Sequence, residues 1–440
     1  MKNEIKIRPT HDVALANIGK AIGLIDRILK DTSPRTVFDP LTWWNGLDLN
    51  WKKAIARNLL GQRLEWWDWD EISESAEKLN ELRLNEFLID PDPLIIEQIF
   101  SKPTLDCWGC ELDSLKPLAN LTMLNLIRVG NNEIESLEPI RKLVNLTELW
   151  CQGNNISSLE PISDLINLER LELGGNEIES LEPIRKLEGL RNLYCGNNKI
   201  SSVEPISDLI NLERLGLNDN EIESLEPIRK LRELRSLSCY NNMISSLEPI
   251  ADLIKLEDLS LWDNEIENLE PIRKLEELKR LSCNNNKISS LEPIADLIKL
   301  YYLNCYSNDI ESLEPIRKLE DLRELLCESN RIMSLEPISD LKKLKDLYCC
   351  SNKIESLEPI RKLESLNILK CSKNNISSLE PICQLNGLQS LDCSYNQIES
   401  LRPLYGLPNL KFISCNGNKI SETEIAEFRM QAPNCSINNG

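Results

Sequence analysis

The chain has 440 residues, with 71 Asp and Glu against 51 Lys and Arg and a formal net charge of -20. That balance argues against duplex DNA, RNA or an anionic membrane as the main partner, since each needs a basic surface to displace counterions. One histidine, His11, rules out His-dependent triads and His-rich metal centres, and no Walker loop, GxGxxG turn or GxSxG elbow occurs. No catalytic residue, metal site or cofactor is therefore expected.

Residues 1–78 are a different material from the rest of the chain. Leu15, Ile18, Ile22, Ile25 and Leu29 form a one-sided apolar stripe with helical spacing, and such a helix needs a partner. Trp43, Trp44, Trp51, Trp66, Trp67 and Trp69 crowd the next segment, whose stretch from Asn50 to Leu60 again has helical character. No 18-residue apolar run exists for a membrane span, and Met1 to Lys6 lacks the apolar core of a secretory signal, so a cytoplasmic location is expected.

From Leu105 a spacing of 22 residues takes over, stepping through Ile127, Leu149, Leu171 and onward to Leu391 and Ile413. Fifteen repeats fit without an insertion, and a degenerate unit lies upstream in Leu79, Leu82, Leu84, Phe87 and Ile89. A unit this short cannot bury its own apolar face and must stack on copies of itself. Leu149 and Cys151 alternate with outward residues, which predicts one short strand per unit, paired in parallel with its neighbours. Asn154 comes next, where the chain turns, and its short amide can satisfy backbone groups of the adjacent coil. Glu160-Pro161-Ile162 then opens a return segment, where Pro and a carboxylate suit a first helical turn, so a short 3₁₀ or α turn is expected. Strands pair about 4.8 Å apart whereas helices pack at roughly 8 to 10 Å, which bends the array with its sheet on the concave side.

At these residues the sequence resembles the leucine-rich repeat family, specifically its 22-residue bacterial class, of which the internalins are members. The match covers residues 79–420, with fourteen Asn from Asn132 to Asn418 in phase and Cys110 as the family's Cys variant of that slot. The resemblance implies an α/β solenoid of about 15 to 16 coils. Internalin-like proteins are typically exported, and the N-terminus from Met1 to Lys6 departs from that pattern.

A period of 44 residues is laid over the first: return segments alternate between Ile140-Arg141-Lys142-Leu143 and Ile162-Ser163-Asp164-Leu165. Stacking would set Lys142, Asp164, Lys186 and Asp208 side by side as a row of exposed ion pairs. Each is worth about 0 to 1 kcal/mol, and the alternation disfavours a one-repeat slip. Glu138 and its equivalents to Glu380 form a like-charge row of twelve, best read as a helix-start preference.

The outward strand slots collect Trp108, Trp150, Tyr194, Tyr240, Trp262, Tyr302, Tyr306, Tyr348, Tyr395 and Phe412. Only Tyr301 and Tyr405 lie elsewhere between Leu105 and Ile420. Four such slots in each of fifteen repeats should catch about two of those twelve rings by chance, and they catch ten. The inward slots already supply the core, and Tyr and Trp dominate binding hot spots, so these ten are the candidate partner-binding residues. Rings stacking on one another to cover the sheet is the competing structural reading. Charges of both signs on the same face, among them Arg170, Glu172, Asp258, Arg280, Glu324 and Asp346, suit a polypeptide partner better than a small apolar ligand.

Eleven of the fifteen cysteines occupy one inward strand slot, where a thiol acts as a small hydrophobe. Neighbouring Cβ atoms about 4.8 Å apart exceed the roughly 3.8 Å a disulfide prefers, so reduced thiols are expected. Cys107-x-x-Cys110 looks like half of a zinc site, but both fall on core slots and no second pair exists. Ser421 to Met430 reads as a short helix and Pro433 to Ile437 as a closing strand.

The expected organisation is a helical, Trp-rich cap or small domain at 1–78, a solenoid at 79–420 and a C-terminal cap at 421–440. The expected function is a non-catalytic scaffold, a monomer, that binds another protein through the aromatic concave face. The alternative is a regulatory or sensor subunit whose N-terminal helical region docks an effector while the repeats recognise a ligand.

Overall fold

The computed structural model describes residues 39–60 and 84–439. The stripe from Leu15 to Leu29, His11, and Trp66, Trp67 and Trp69 lie outside the described residues. The chain divides into two units, Met1–Gly46 and Leu47–Gly440. In the first, α1 (Pro40–Asn45) starts on Asp39, whose carboxylate accepts from the amides of Leu41 and Thr42.

The second unit opens with α2 (Leu49–Leu59), N-capped by Asp48, whose carboxylate accepts the Trp51 amide at 2.9 Å. Helices α3 (84–89) and α4 (Pro93–Glu97) come next. Of the upstream unit from Leu79 to Ile89, the described residues 84–89 are helical, and the first strand of the array is at Thr104. Leu84 and Phe87 are buried while Ile89 is exposed, as a helix with apolar residues three apart requires. Phe87, standing where later repeats carry Asn, has no amide with which to tie a coil to the next.

Sixteen strands then form a single parallel sheet in sequence order, from β1 (Thr104–Asp106) through β3 (Glu148–Trp150) to β15 (Phe412–Ser414) and β16 (Ser436–Asn438). Through β15 each residue pairs with the one 22 positions on, as Leu149 does with Leu171 and Leu303 with Leu325. The apolar positions of every coil point inward; Leu146, Leu149, Cys151, Ile156 and Ile162 are all fully buried. The core is thus a continuous column, and each coil depends on its neighbours.

The Asn of each coil closes the turn after the strand as expected. Asn154 Oδ1 accepts the amide of Ile134 in the preceding coil at 3.0 Å, while Nδ2 donates to the carbonyls of Val129 and Cys151. The return segments are 3₁₀ turns that start on the Glu-Pro pair, such as Glu138–Ile140 and Glu160–Ile162. A serine two residues earlier accepts the Glu amide, as Ser136 Oγ does for Glu138 at 3.2 Å.

The 44-residue period works differently from the expected row of Lys and Asp. Arg141 instead grips Glu138 of its own turn through two hydrogen bonds of 2.8 Å, and the same pair recurs at Arg185–Glu182 and on every second coil to Arg361–Glu358. In a 3₁₀ turn residues three apart eclipse, which puts this pair in contact with no help from the next coil. Of the expected row, Lys230–Asp208 at 3.3 Å and Lys318–Asp296 at 3.8 Å meet. Those residues are strongly exposed, so each adds little.

Both ends of the sheet are covered. At the first strand, Asn58 of α2 bonds the backbone of Asp106, Trp51 Nε1 donates to the Ser114 carbonyl at 2.9 Å, and Asn50 Nδ2 donates to that of Glu111 at 3.0 Å. At the last, α5 (Glu422–Gln431), capped by Ser421, buries Phe428, and β16 pairs with β15.

Candidate functional site

The outward face of the sheet is set by register. Residues flanking the buried central position face outward, as Glu148 and Trp150 do around Leu149, both half-buried while Leu149 is buried. None of the ten candidate rings lies in the core: eight are half-buried, and Tyr395 and Phe412 are exposed. Tyr301 and Tyr405, the two other rings of the array, are also half-buried.

The rings fall into groups by what they touch. Trp150 lies between Arg128, 4.9 Å from its centre, and Arg170, 4.3 Å away; Arg170 in turn reaches Tyr194 at 5.7 Å. Register makes this a ladder, since Arg128 is the Cα partner of Trp150 and Glu148 that of Arg170. Glu172 locks Arg170 at 2.7 Å, and Glu148 accepts from Trp150 Nε1 at 3.0 Å. Tyr240 and Trp262 stack in parallel, with centres 4.0 Å apart. Arg280 lies 4.1 Å over Tyr302, Lys370 lies 5.0 Å over Tyr348, and Tyr306 Oη accepts from Asn285 Nδ2 at 3.2 Å. Such contacts, each about 0.5 to 1.5 kcal/mol, hold rings in place before any partner arrives.

Three rings lie down over a glycine of the next coil: Trp108 over Gly130, Tyr194 over Gly216 and Tyr395 over Gly417. A Cβ at Gly216 would sit 2.9 Å from the Tyr194 ring, and one at Gly417 would sit 2.5 Å from that of Tyr395. Sequence reasoning missed this, although a glycine 22 residues after an outward ring was its visible signal. Tyr395 also takes a left-handed backbone, φ 53, which a bulky side chain rarely adopts.

Burial raises the protonation points of five carboxylates on this face. Glu172, Asp258, Glu324, Glu328 and Asp346 are all pushed up from their ordinary range, first by desolvation. On the return side the opposite holds: the Arg141 hydrogen bond lowers Glu138, as its equivalents lower the Glu of alternate coils.

The core thiols are chemically quiet. Desolvation pushes Cys195, Cys239 and Cys283 up to about 12, and Cys350, the half-buried thiol on the outward face, is raised as well. Cys107 and Cys110 are both buried, and among the described residues no group of three His, Cys, Asp or Glu is placed to hold a metal. Two shallow grooves, lined by residues such as Glu204, Arg229 and Glu138, lie along the return segments, and none of the ten rings lines them. Among the described residues no helix is long and apolar enough to cross a membrane.

A parallel solenoid with one inward column and one outward sheet face defines a repeat scaffold, and the chain belongs to the leucine-rich repeat family. The family model for leucine-rich repeats in two copies matches residues 144–186, 188–230, 232–274, 276–318, 320–362 and 386–428. The first five matches start 44 residues apart, the same pairing of coils that the Arg–Glu turns mark. An internalin of Listeria monocytogenes is 29% identical with a TM-score of 0.65, covering 68% of this chain and 88% of its own. A leucine-rich repeat protein of Leptospira interrogans is 27% identical with a TM-score of 0.69, covering 77% of this chain and 94% of its own. The functional domain of InlJ from Listeria monocytogenes, which includes a cysteine ladder, shares the fold at 22% identity and a TM-score of 0.62, covering 73% of this chain and 75% of its own. None of the curated proteins matches the sequence significantly. Arrays of this family serve in general as protein-binding scaffolds without catalysis of their own.

Proposed function

We propose that this chain captures a polypeptide partner on the outward face of its sheet, with the ten rings as the contact residues. The carrying observation is their placement. Ten of the array's twelve aromatics sit on outward strand slots that folding does not require to be aromatic, and none is buried. Several are held by arginines or by each other, which lowers the entropy lost on binding. Mixed charges among the rings suit a polypeptide surface. The stack of buried thiols favours a reducing compartment, which supports a place in the cytoplasm. Helix α2 acts as a cap, because its polar side chains bond the backbone of the first coil.

The test is affinity capture with the full chain against a variant carrying alanine at Tyr240, Trp262, Tyr306 and Tyr348. Loss of capture with an unchanged circular dichroism spectrum is expected. Retained capture, combined with its loss on substitution within residues 1–78, would favour the effector-docking subunit instead.

A further inference from the structure

The outward face is not uniform along the array. Over β10 (Tyr302–Asn304), β11 (Glu324–Leu326) and β12 (Asp346–Tyr348) the outward slots carry Glu324, Glu328 and Asp346 and no cation. Some acids elsewhere on the face are neutralised, as Glu172 is by Arg170 at 2.7 Å and Asp258 by Arg280 at 3.7 Å. Here, among the described residues, none of the three has an ion-pair partner, although Glu324 and Asp346 are Cα partners on adjacent strands. Like charges directly opposite destabilise a sheet, so this arrangement has a cost that folding alone does not explain.

A second observation concerns hydrogen-bond acceptors. Asn284 and Glu328 precede and follow Tyr306 by one coil each, in the row where backbone bonds such as Asn285 N to Tyr306 O and Ser307 N to Glu328 O continue the ladder. Asn284 is only 3% exposed, and its Oδ1 is buried without a donor. Glu328 Oε2 is likewise buried without a donor. Two orphan acceptors flanking one ring call for a group that only donates. The nearby rings already accept cations from this chain, Arg280 over Tyr302 and Lys370 over Tyr348.

We infer that the face over β10–β12 is the docking site for an arginine-bearing basic segment of the partner polypeptide, its guanidinium held by Glu324, Glu328 and Asp346 among Tyr302, Tyr306 and Tyr348. This rests on the proposed partner capture and narrows it to a region and a chemistry. A guanidinium is planar, donates through five N–H groups and stacks on rings, whereas an ammonium is a compact, strongly hydrated charge. The raised protonation points of the three acids agree, because a bound cation would restore the ionised form that burial disfavours.

The experiment measures fluorescence anisotropy of a labelled Gly-Arg-Gly-Arg-Gly peptide on the full chain, with lysine and glutamate counterparts at the same positions. One variant carries Glu324→Gln, Glu328→Gln and Asp346→Asn; a second removes the same charge from the return side with Glu292→Gln, Glu336→Gln and Glu380→Gln. The arginine peptide should bind tighter than the lysine peptide and far tighter than the glutamate one. The face variant should lose about tenfold or more in affinity and the return-side variant no more than about twofold. Equal losses in the two variants, or an arginine peptide held no tighter than the lysine one, overturn the inference. If the four-ring alanine variant abolishes partner capture while the face variant retains it, partner capture by the rings stands and the basic-segment inference alone falls.

Discussion

The carboxamide of Asn58 binds both backbone groups of Asp106: its Oδ1 accepts the Asp106 amide at 2.9 Å, and its Nδ2 donates to the Asp106 carbonyl at 2.6 Å. One side chain thereby takes the place of a missing strand at the open edge of the sheet, where unpaired groups would otherwise template association. Asn58→Ala should cost about 1 to 3 kcal/mol, the penalty for leaving such groups unmet. Hydrogen exchange checks it: the Asp106 amide should lose protection while that of Leu303, in the middle of the array, keeps it. Equal protection in both proteins would mean that water or a neighbouring side chain closes the edge.

The Asn of each turn is a buried version of the same device. Asn374, 6% exposed, accepts the Ile354 amide at 2.9 Å and donates to the carbonyls of Cys349 and Cys371 at 2.9 and 3.1 Å. Asn374→Ala strands one donor and loosens two acceptors between adjacent coils, so a loss of about 1 to 3 kcal/mol in a urea titration is expected. Asn145→Ala is the control. Its amide bonds the Thr122 carbonyl on an exposed return segment, and the loss there should stay within about 0.5 kcal/mol.

The thiols give a prediction that needs no variant. Twelve of the fifteen cysteines are buried, and only Cys350, Cys383 and Cys435 are half-buried. Iodoacetamide at neutral pH should modify at most those three in the native protein, slowly at Cys350 because burial raises its thiol. All fifteen should react after unfolding in urea under reducing conditions. Mass spectrometry reads both counts, and rapid native modification of Cys283 or Cys305 would contradict the packed column.

Repetition makes most of the fold legible in the sequence. Inward Leu, the Asn turn and the Glu-Pro 3₁₀ start recur so often that register leaves one arrangement, and outward rings are a consequence of strand alternation. Their contacts are not legible, because whether Trp150 meets Arg170 or Tyr194 lies flat depends on the rotamer and on what stands 22 residues later. The Arg141–Glu138 pair is hidden because a coil-to-coil row of Lys and Asp accounts for the same alternation, and only eclipsing within a 3₁₀ turn separates the two. At 84–89 the pattern is too short to tell a degenerate coil from a helix, and burial of Leu84 and Phe87 decides for the helix.

Two sets of carboxylates pull the pH dependence of stability in opposite directions. On the outward face Glu172, Asp258, Glu324, Glu328 and Asp346 have protonation points raised by burial. In the window between their ordinary and raised values the folded chain binds more protons than the unfolded one, so stability increases as pH falls through it. On the return side Glu138, Glu182 and Glu358 are lowered by their arginines. Their contribution is present above the ordinary carboxylate value and is lost as pH falls through the lowered one. Thermal unfolding at constant ionic strength should therefore show a midpoint that rises as pH falls from neutral toward the ordinary carboxylate value, and a decline as pH falls below it. The Glu324→Gln, Glu328→Gln, Asp346→Asn variant should flatten the rise between neutral pH and that acidic maximum and leave the acid limb in place. An unchanged rise would place the titrating groups elsewhere, in the general repulsion of a chain with a net charge of -20.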